Sequence, residues 1–358
     1  MKAIVLCAGQ GTRLRPLTHT LTKHLIPVAN KPVLFYGLEN LVAAHVREIG
    51  IVVSPATQAA IRAAVGAGEQ FGARITYVEQ SEARGLAHAA NCARGFVGRQ
   101  PFLMYLGDTL LPEGFAAIVE RFHAPQTNGA IMLAPVDDPR RYGIAELAGD
   151  RIVRLVEKPQ RPASNLAVAG AYVFDHHIFE AIDRLQPSWR NEYEITDAVQ
   201  DLIDHGLTVR ACTVPGWWKD TGTPADLLEA NQVLLQRINA DLAGVIDTAS
   251  RITGLARIEA GAQIVNSQIN GPAIIGREAR VVNATIGPFV SIGARVEVLN
   301  GTVADSIIME AARLDLNGAR VERSVLGRNA ALRGHAGAVV SATLADDCQV
   351  GVTAAARL

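Results

Sequence analysis

Two glycines and an arginine follow the first hydrophobic run of the chain, in the stretch LCAGQGTRLRPLT at residues 6–18. The stretch lacks the second Gly and the Lys of a G-x-x-x-x-G-K-[ST] loop, and Leu14 stands where the dinucleotide fingerprint has its third Gly. Gly9 and Gly11 therefore predict a tight backbone turn that presents N–H donors, with the fixed cation Arg13 directly after it. A cation that close to exposed amides suits a triphosphate better than a neutral ligand.

A second cation, Lys23, lies in TKHLIPVANKP just past the glycine turn. By itself it would be interpreted as a solvated surface charge. Beside Gly9, Gly11 and Arg13 it is predicted to reach the same phosphates, because both cations then follow one loop.

Two carboxylates are candidates for a metal site. Asp108 ends the hydrophobic run FLMYLGD, which places it at the carboxyl end of a buried strand, where α/β sheets bind their ligands. An Asp there could instead cap the next helix. We favour a Mg²⁺ ligand, because magnesium usually takes one or two carboxylates plus substrate phosphates. Asp220, in GWWKDTGTPADL, is the candidate for the second carboxylate.

An acid and a base stand side by side in EKP at residues 157–159. Neighbouring residues of an extended segment point in opposite directions. Glu157 is therefore expected to accept sugar hydroxyls while Lys158 holds a phosphate, or the reverse. Taken alone, the pair could equally be two surface charges.

Gln80 and Gly85 are candidates for reading a base. The Gln80 amide has both the donor and the acceptor that a pyrimidine edge needs. Gly85 would let a flat base lie against the backbone. The alternative for any single Gln is ordinary surface polarity.

The other reactive side chains are assigned structural roles. His335 invites an acyl-transfer interpretation, but a loop histidine is favoured because it falls where the repeat described below weakens. The four cysteines are far apart and form no C-x-x-C, so they are interpreted as buried thiols in a reducing cytosol.

The elements that position these residues change character along the chain. Up to about residue 235, short apolar runs alternate with helical patterns, which predicts a mostly parallel sheet covered by helices. Strands are predicted at 2–9, 48–55, 74–80, 101–108 and 129–136, the first four buried on both faces. Helices are predicted within 37–48, 57–71, 85–96 and 114–124.

From about residue 245 the helical patterns end and a six-residue rhythm begins. Such a period places one inward aliphatic side chain on each short strand of a prism-shaped β-helix. The rhythm is strong over 258–300 and weakens through 324–337 to the end of the chain, which is typical of a terminal cap. We place the domain boundary at 240 ± 8, with domains at 1–240 and 241–358. The aliphatic residues that mark the rhythm are Ile264, Ile269, Ile275, Val281, Ile286, Ile292 and Val298.

Length and composition bound the class of protein. The chain has 358 residues, and two domains are expected. Hydrophobic residues make up 49% and charged residues 19%, which predicts a soluble globular protein with large cores. A net charge of −1 gives no basic face for a nucleic-acid partner. No signal peptide or membrane span is recognised, so a cytoplasmic location is expected.

Together the motifs resemble the sugar-1-phosphate nucleotidyltransferases, and most closely the long-form glucose-1-phosphate thymidylyltransferases. That resemblance implies a Rossmann-like nucleotidyltransferase domain followed by a left-handed parallel β-helix of hexapeptide repeats. It runs nearly the whole length of the chain. The motifs, in order, are AGQGTRLRPLT, TKHLIPVANKPV, YVEQSEARGLAHA, FLMYLGD, RYGIAEL, EKP, SNLAVAGAYVFD, EYEITDA and WKDTGT, followed by the hexapeptide region.

The resemblance implies roles for individual residues, with Arg13 and Lys23 on the nucleotide phosphates and Lys158 on the sugar phosphate. The residues implied for catalysis are Arg13, Lys23, Asp108, Lys158 and Asp220. Those implied for nucleotide binding are Leu6, Ala8, Gly9, Gly11, Thr12, Arg13, Lys23, Gln80, Gly85 and Asp108. Those implied for the sugar-phosphate pocket are Thr109, Tyr142, Gly143, Glu157, Lys158, Val168, Tyr172 and Trp218. The implied cofactor is Mg²⁺, held by Asp108 and Asp220.

The sequence departs from the family pattern at two positions, and a third residue is ambiguous. Ala8 and Thr109 stand where thymidylyltransferases often have Gly and Asn, and His24 stands where Gln is frequent. Thr109 can still form hydrogen bonds, and the sugar preference is left open.

The implied reaction transfers a nucleotidyl group from dTTP to glucose 1-phosphate, giving dTDP-glucose and pyrophosphate. The nucleophile is already anionic, so no general base is required. Three alternatives stay open: preference for UTP or another sugar 1-phosphate, a second acetyltransferase activity in the β-helix, and a non-catalytic regulatory paralogue. The partners expected are dTTP or UTP and glucose 1-phosphate, without nucleic acid or membrane, in a homo-oligomer.

Overall fold

The computed structural model of the protein describes residues 1–353, which form two compact units. The first unit comprises Met1–Gln10 and Val33–Asp220. The second comprises Gly11–Pro32 and the residues from Thr221 onwards. Gly11, Arg13 and Lys23 therefore belong to a different compact unit from Asp108 and Asp220, whereas Gly9 belongs to the same unit as these two carboxylates.

The first unit is built on a nine-stranded sheet. The four strands at one end pair in parallel, as the alternating pattern predicts. Leu166–Phe174 then pairs antiparallel with both of its neighbours, so strict parallel order ends there. The strands, in spatial order, are Arg74–Glu79, Glu48–Val53, Lys2–Leu6, Phe102–Leu106, Leu166–Phe174, Gly129–Pro135, Val209–Thr213, Arg151–Glu157 and Gly143–Ala148.

One prediction of strand burial is wrong. Three of the four strands predicted to be buried on both faces are buried, but Arg74–Glu79 exposes Arg74, Thr76 and Glu79. It forms the edge of the sheet and is hydrogen-bonded on one side only. By contrast, Gly129–Pro135 lies in the sheet interior and is buried from Gly129 to Ala134.

Helices cover this sheet, with bounds shifted by a few residues from the predicted ones. The first helix ends at Ala43 rather than at 48, because Glu48 already belongs to the next strand. The helix that follows that strand starts in a capping box, in which Ser54 and Thr57 satisfy each other's backbone groups. The helices of this unit are α1 (Val33–Ala43), α2 (Pro55–Val65), α3 (Leu86–Cys92), α4 (Arg94–Val97), α5 (Ala116–Phe122), α6 (His177–Arg184) and α7 (Ile195–Asp204), whereas α8 (Pro224–Leu235) belongs to the second unit.

The second unit is dominated by three stacked parallel sheets, the architecture predicted for the hexapeptide region. Successive short strands visit the three sheets in turn. The first sheet contains Asp241–Leu242, Ala256–Ile258, Ala273–Ile275, Val290–Ile292, Ser306–Ile308, Val325–Leu326 and Thr343–Leu344. The second contains Val245–Ile246, Gln263–Val265, Arg280–Val282, Glu297–Leu299, Arg313–Asp315, Ala331–Arg333 and Gln349–Gly351. The third contains Arg251–Thr253, Gln268–Asn270, Thr285–Ile286, Thr302–Ala304, Arg320–Glu322 and Val339–Val340.

The inward positions of this β-helix are those predicted from the sequence. All seven aliphatic residues of the predicted rhythm have no exposed surface. The predicted terminal cap over 324–337 is wrong, because Val325–Leu326 and Ala331–Arg333 continue the parallel pairing, which reaches Gly351. Inward Leu326 and Leu332 replace the Ile and Val of the earlier coils, so the pattern is weaker in sequence than in space.

Three 3₁₀ turns and a short hairpin in segment 11–32 also belong to the second unit. Single 3₁₀ turns form at Thr12–Leu14, Leu17–His19 and Lys23–Leu25. A two-residue hairpin follows, in which Pro27–Val28 pairs antiparallel with Lys31–Pro32. Helix α8 packs against this hairpin and also against the β-helix strands Val290–Ile292 and Ser306–Ile308.

No disulfide forms among the four cysteines of residues 1–353, and the prediction that their thiols are buried is confirmed for two of them and wrong for the other two. Cys7 and Cys212 are buried, whereas Cys92 and Cys348 are partly exposed. Among residues 1–353, no helix has the length and apolar content to cross a bilayer.

Candidate active site

The first candidate centre lies directly after the strand Phe102–Leu106. The chain turns at Gly107 and Asp108 and then forms a two-residue strand, Thr109–Leu110, which pairs antiparallel with Lys219–Asp220. In this register Asp220 lies opposite Thr109. Asp108 precedes Thr109 in the chain, so the two predicted metal ligands occupy neighbouring positions although 112 residues separate them in sequence.

The turn that carries Asp108 is held by a buried tyrosine. The Tyr105 hydroxyl donates a hydrogen bond to the Thr109 carbonyl, and both residues are almost completely buried. Burial, and then the charge of Asp108, raise the pKa of Tyr105, so the hydroxyl keeps the proton that it donates. Helix α1 braces the same segment, because Asn40 Nδ2 donates to the Leu111 carbonyl at 2.7 Å.

We expect Tyr105→Phe to lower the free energy of unfolding by about 1–3 kcal/mol, since the buried Thr109 carbonyl loses its donor. Urea unfolding measures the change. Tyr77→Phe is the matched control, because the Tyr77 hydroxyl also donates to a carbonyl, that of Gly66, but in an exposed position. An equal loss of unfolding free energy in both variants would show that the buried Tyr105 hydrogen bond stabilises the protein no more than an exposed one does.

The donor set at this turn fits magnesium. Carboxylate oxygens are the hard ligands that Mg²⁺ prefers, and one or two of them usually suffice when phosphates complete the shell. A second set of metal-ligating side chains occurs at Asp175, His176 and His177, but it has a local explanation. The Asp175 carboxylate accepts from the His177 N–H and ring at the start of α6 and from Asn128.

The second candidate centre lies at the end of the strand Arg151–Glu157. The expectation that Glu157 and Lys158 point in opposite directions is wrong. Lys158 has φ 43°, outside the extended region, and its Nζ lies 3.3 Å from Glu157 Oε1. A non-glycine residue in this region is strained, and such strain often occurs at functional sites. The Lys158 N–H donates to the Tyr142 carbonyl at 3.0 Å, which helps to hold the conformation.

A third charged residue at this centre was missed from the sequence. Arg190 Nη1 lies 3.7 Å from Glu157 Oε1 and 3.1 Å from Glu194 Oε1. Thr196 Oγ1 donates to Glu157 Oε2 at 3.4 Å. Two cations, Lys158 and Arg190, and a second acid, Glu194, are therefore gathered around the Glu157 carboxylate. The motif EYEITDA, which contributed to the family resemblance, was the available signal, but no residue in or beside it was assigned a role.

Aromatic and small residues surround this centre. Gly143 lies opposite Glu157 in the strand register, and the Tyr142 ring meets the Trp218 ring edge-on at 5.6 Å between centroids. Trp218 Nε1 donates to the Ala169 carbonyl at 2.8 Å, where a bulge interrupts the pairing of Leu166–Phe174.

Three residues predicted to line the pocket are largely buried. Val168 is 9% exposed, and Thr109 and Tyr172 are each 2% exposed. Burial, and then the charge of Glu157, raise the pKa of Tyr172. These three side chains therefore expose little surface to a pocket.

Burial at the second centre also affects Asp197 on α7. Its pKa is raised, first by burial and then by the charge of Glu157. Folded protein therefore keeps the Asp197 proton at a pH at which the unfolded chain has released it. Between the ordinary aspartate pKa, about 4, and the raised one, the free energy of unfolding falls as pH rises.

We expect Asp197→Asn to remove this destabilising contribution, so that the variant is more stable than the wild type at pH 7 and the difference shrinks toward pH 4. Urea unfolding at several pH values between 4 and 8 measures it. Asp204→Asn, an exposed carboxyl on the same helix, is the control and should not alter the slope. A pH-independent difference for Asp197→Asn would contradict the prediction.

The residues predicted to read a base have other contacts. Gln80 is buried, and its Nε2 lies 3.2 Å from the Gly85 carbonyl and 3.0 Å from His88 Nδ1. Gly85 has φ 99°, and a Cβ there would lie 2.5 Å from the Tyr193 carbonyl oxygen. The glycine is thus required by the close approach of the Tyr193 backbone, which the sequence did not indicate. Leu6 is buried, whereas Ala8 and Gly9 retain exposed surface.

The glycine turn itself has the predicted conformation. Gly11 lies in the left-handed region at φ 67°, and Thr12–Leu14 forms the 3₁₀ turn after it. A Cβ on Gly11 would lie 3.0 Å from Lys23 Cβ, so Lys23 packs directly over the turn. Arg13 is exposed at the same place. The two predicted phosphate-binding cations therefore belong to one loop of the second unit.

The family model described as Nucleotidyl transferase matches residues 2–237. The chain belongs to the nucleotidyl transferase family. Among relatives of this transferase, a glucose-1-phosphate thymidylyltransferase of Streptomyces griseus is 47% identical over 268 residues, which are 75% of each chain.

Solved structures give the same picture of the transferase fold. A crystal structure assigned to a glucose-1-phosphate thymidylyltransferase of Bacillus anthracis, in complex with sucrose, is 34% identical with a TM-score of 0.62. It covers 68% of this transferase, and the match covers 98% of that chain. A UDP-glucose pyrophosphorylase complexed with UDP-glucose is 25% identical with a TM-score of 0.59, over 66% of this chain and 99% of its own.

Proposed function

We propose that this nucleotidyl transferase is a glucose-1-phosphate thymidylyltransferase, which converts dTTP and glucose 1-phosphate into dTDP-glucose and pyrophosphate. The pairing of Asp220 opposite Thr109 carries the proposal. It brings the carboxylate of Asp220 beside the turn that holds Asp108, at the edge of the sheet where phosphates are predicted to bind. The 47% identity to a relative of that name supports the choice of nucleotide and sugar.

The reaction needs no general base. A phosphate oxygen of glucose 1-phosphate, anionic at pH 7, attacks the α-phosphorus of dTTP. A P–O bond forms there, the bond from the α-phosphorus to the oxygen bridging to the β-phosphate breaks, and pyrophosphate leaves with that electron pair. The difficulty is to bring two polyanions into line, so catalysis depends on positioning and on charge stabilisation.

Different cations of the chain bind the two phosphate-bearing substrates. Arg13 and Lys23 hold the triphosphate and the departing pyrophosphate, while Lys158 and Arg190 hold the phosphate of the sugar. Glu157 accepts hydrogen bonds from sugar hydroxyls. Asp108 and Asp220 would hold Mg²⁺, which when bound neutralises phosphate charge at the reacting centre.

The remaining assignments stay predictions. Gln80 and Gly85, with the loop around Ala8 and Gly9, are predicted to contact the nucleoside. The division into domains 1–240 and 241–358 and the cytoplasmic location are likewise predictions. Self-association through the faces of the β-helix is a hypothesis that light scattering would defeat if it detected only monomer.

Pyrophosphate release tests the proposal. Wild-type protein is assayed with Mg²⁺ and glucose 1-phosphate against dTTP, UTP, ATP, GTP and CTP. We expect dTTP to be used best and UTP to be used measurably, because one methyl group is worth only about 1–3 kcal/mol in a pocket. Turnover that is fastest with UTP would favour the alternative transferase, and no turnover with any nucleotide would overturn the proposal.

An additional arm with acetyl-CoA and glucosamine 1-phosphate tests the acetyltransferase alternative. His335 lies in an exposed turn, and its Nδ1 is 3.0 Å from the Ala336 carbonyl. We therefore expect no acetyl transfer that depends on this histidine.

A further inference from the structure

A buried asparagine of helix α8 joins the β-helix to the segment that carries Arg13 and Lys23. Asn231 has no exposed surface. Its Oδ1 accepts from the Ala29 N–H at 2.9 Å and from the Ser291 hydroxyl at 2.6 Å, and its Nδ2 donates to the Phe289 carbonyl at 3.2 Å. One side chain thus links a loop near the N-terminus to two positions at a β-helix strand, the Phe289 carbonyl and the Ser291 hydroxyl.

The loop that Asn231 contacts is strained. Ala29 and Asn30 form the two-residue turn between Pro27–Val28 and Lys31–Pro32, and their φ angles are 48° and 59°. Two positive φ angles in a two-residue hairpin are the requirement of a type I′ turn, which favours Asn and Gly. Ala29 meets that requirement only at a steric cost, and such a conformation persists when surrounding contacts determine it.

Those contacts come from outside the turn. Besides the bond from the Ala29 N–H to Asn231, Asn30 Nδ2 donates to the Ile292 carbonyl at 2.7 Å. Both residues of the turn are therefore fixed by hydrogen bonds to α8 and to the β-helix. Because Asn231 and Ser291 are fully buried, water cannot readily replace these partners.

The turn is coupled to the predicted phosphate-binding cations by a short stretch of chain. The 3₁₀ turn Lys23–Leu25 closes when the Ile26 N–H donates to the Lys23 carbonyl at 3.3 Å, one residue before the hairpin begins. Lys23 then packs over Gly11, whose carbonyl accepts from the Thr18 hydroxyl at 2.8 Å. A displacement of the hairpin would therefore move Lys23 and the turn that precedes Arg13.

We infer that Asn231 is a positioning residue for nucleotide binding: it fixes the Ala29–Asn30 turn against the β-helix and so sets the place of Lys23 and Arg13. The inference rests on the proposed function, in which these cations hold the triphosphate. It also gives the β-helix a part in the reaction, because the strand Val290–Ile292 supplies two of the anchoring groups.

Asn231→Ala tests the inference, with dTTP affinity measured by isothermal titration calorimetry in Mg²⁺ and with steady-state kinetics for both substrates. We expect the Kd and KM for dTTP to rise about tenfold, while the KM for glucose 1-phosphate stays within about twofold. Gln232→Ala is the matched control. Gln232 is the next residue of α8 and donates to Asp305 at 2.7 Å, which joins the helix to the β-helix without involving the hairpin. It should leave dTTP binding unchanged.

Asn30→Gly keeps the experiment decisive if Asn231→Ala does not fold. Glycine adopts the positive φ angle readily, so this variant removes the bond to Ile292 without adding strain to the turn. We expect dTTP binding to weaken several-fold. Wild-type dTTP affinity in the folded variants, or an equal loss for both substrates, would overturn the inference. Folded wild-type protein that binds no dTTP would instead refute the proposed function, and the inference would fail with it.

Discussion

Asp108→Asn is expected to lower kcat for dTDP-glucose formation by about 10³-fold while the protein stays folded. The substitution removes one negative charge from the pair that the Thr109–Leu110 and Lys219–Asp220 strands bring together. Losing one preorganised electrostatic group at a reacting centre typically costs 10²–10³ in rate. Pyrophosphate release at saturating dTTP and glucose 1-phosphate measures the effect, with circular dichroism as the check on folding.

A double-mutant cycle with Asp220→Asn makes this prediction sharper. Residues that act as one unit show strongly non-additive effects. If the two carboxylates hold the same ion, the double variant should be at most about tenfold slower than either single variant. Losses that multiply would show that Asp108 and Asp220 act independently, which would contradict a shared metal site.

Lys158→Met is expected to lower kcat/KM for glucose 1-phosphate by about 10²–10³-fold and to leave the KM for dTTP within about twofold. Methionine keeps the length of the side chain but removes the charge that we assign to the sugar phosphate. The expected loss is of the size found when one member of a close charge pair is removed at a binding site. Initial rates with each substrate varied in turn separate the two effects.

Arg154→Met is the matched control for Lys158→Met. Arg154 lies on Arg151–Glu157, the strand that leads directly to Lys158, and is also paired with an acid, Glu146, at 3.5 Å, but its side chain is 63% exposed. Its removal should change neither KM. Equal losses in the two variants, or a loss in Lys158→Met that falls mainly on dTTP, would contradict the assignment.

The sequence allowed prediction where a local pattern has a direct spatial meaning. Asp108 was predicted because the buried run before it could only be a strand, and the carboxyl end of such a strand is where ligands bind. The inward residues of the β-helix, such as Ile269 and Ile286, were predicted because a repeat of about six residues assigns one inward position to each short strand.

Prediction failed where the chemistry depends on distant segments. Arg190 reaches Glu157 only after α6, α7 and the strand Arg151–Glu157 have packed, and no periodicity marks an arginine in a loop. The prediction that the Glu157 and Lys158 side chains point in opposite directions was wrong, because the positive φ of Lys158 is imposed by its surroundings and not by its residue type. Likewise, Gly85 is explained by the backbone of Tyr193, more than 100 residues away.

The membership of segment 11–32 in the second unit has a consequence for how the chain folds. The bond from Ala29 to Asn231 joins residues 202 positions apart, and that from Asn30 to Ile292 spans 262 positions. Contacts of such high sequence separation slow folding. At about 5–20 residues per second, a ribosome needs more than about ten seconds to supply Ile292 after Asn30. During that time the strand that anchors the hairpin has not been synthesised, so Ile26 and Val28, both fully buried in the folded protein, lack their final packing partners.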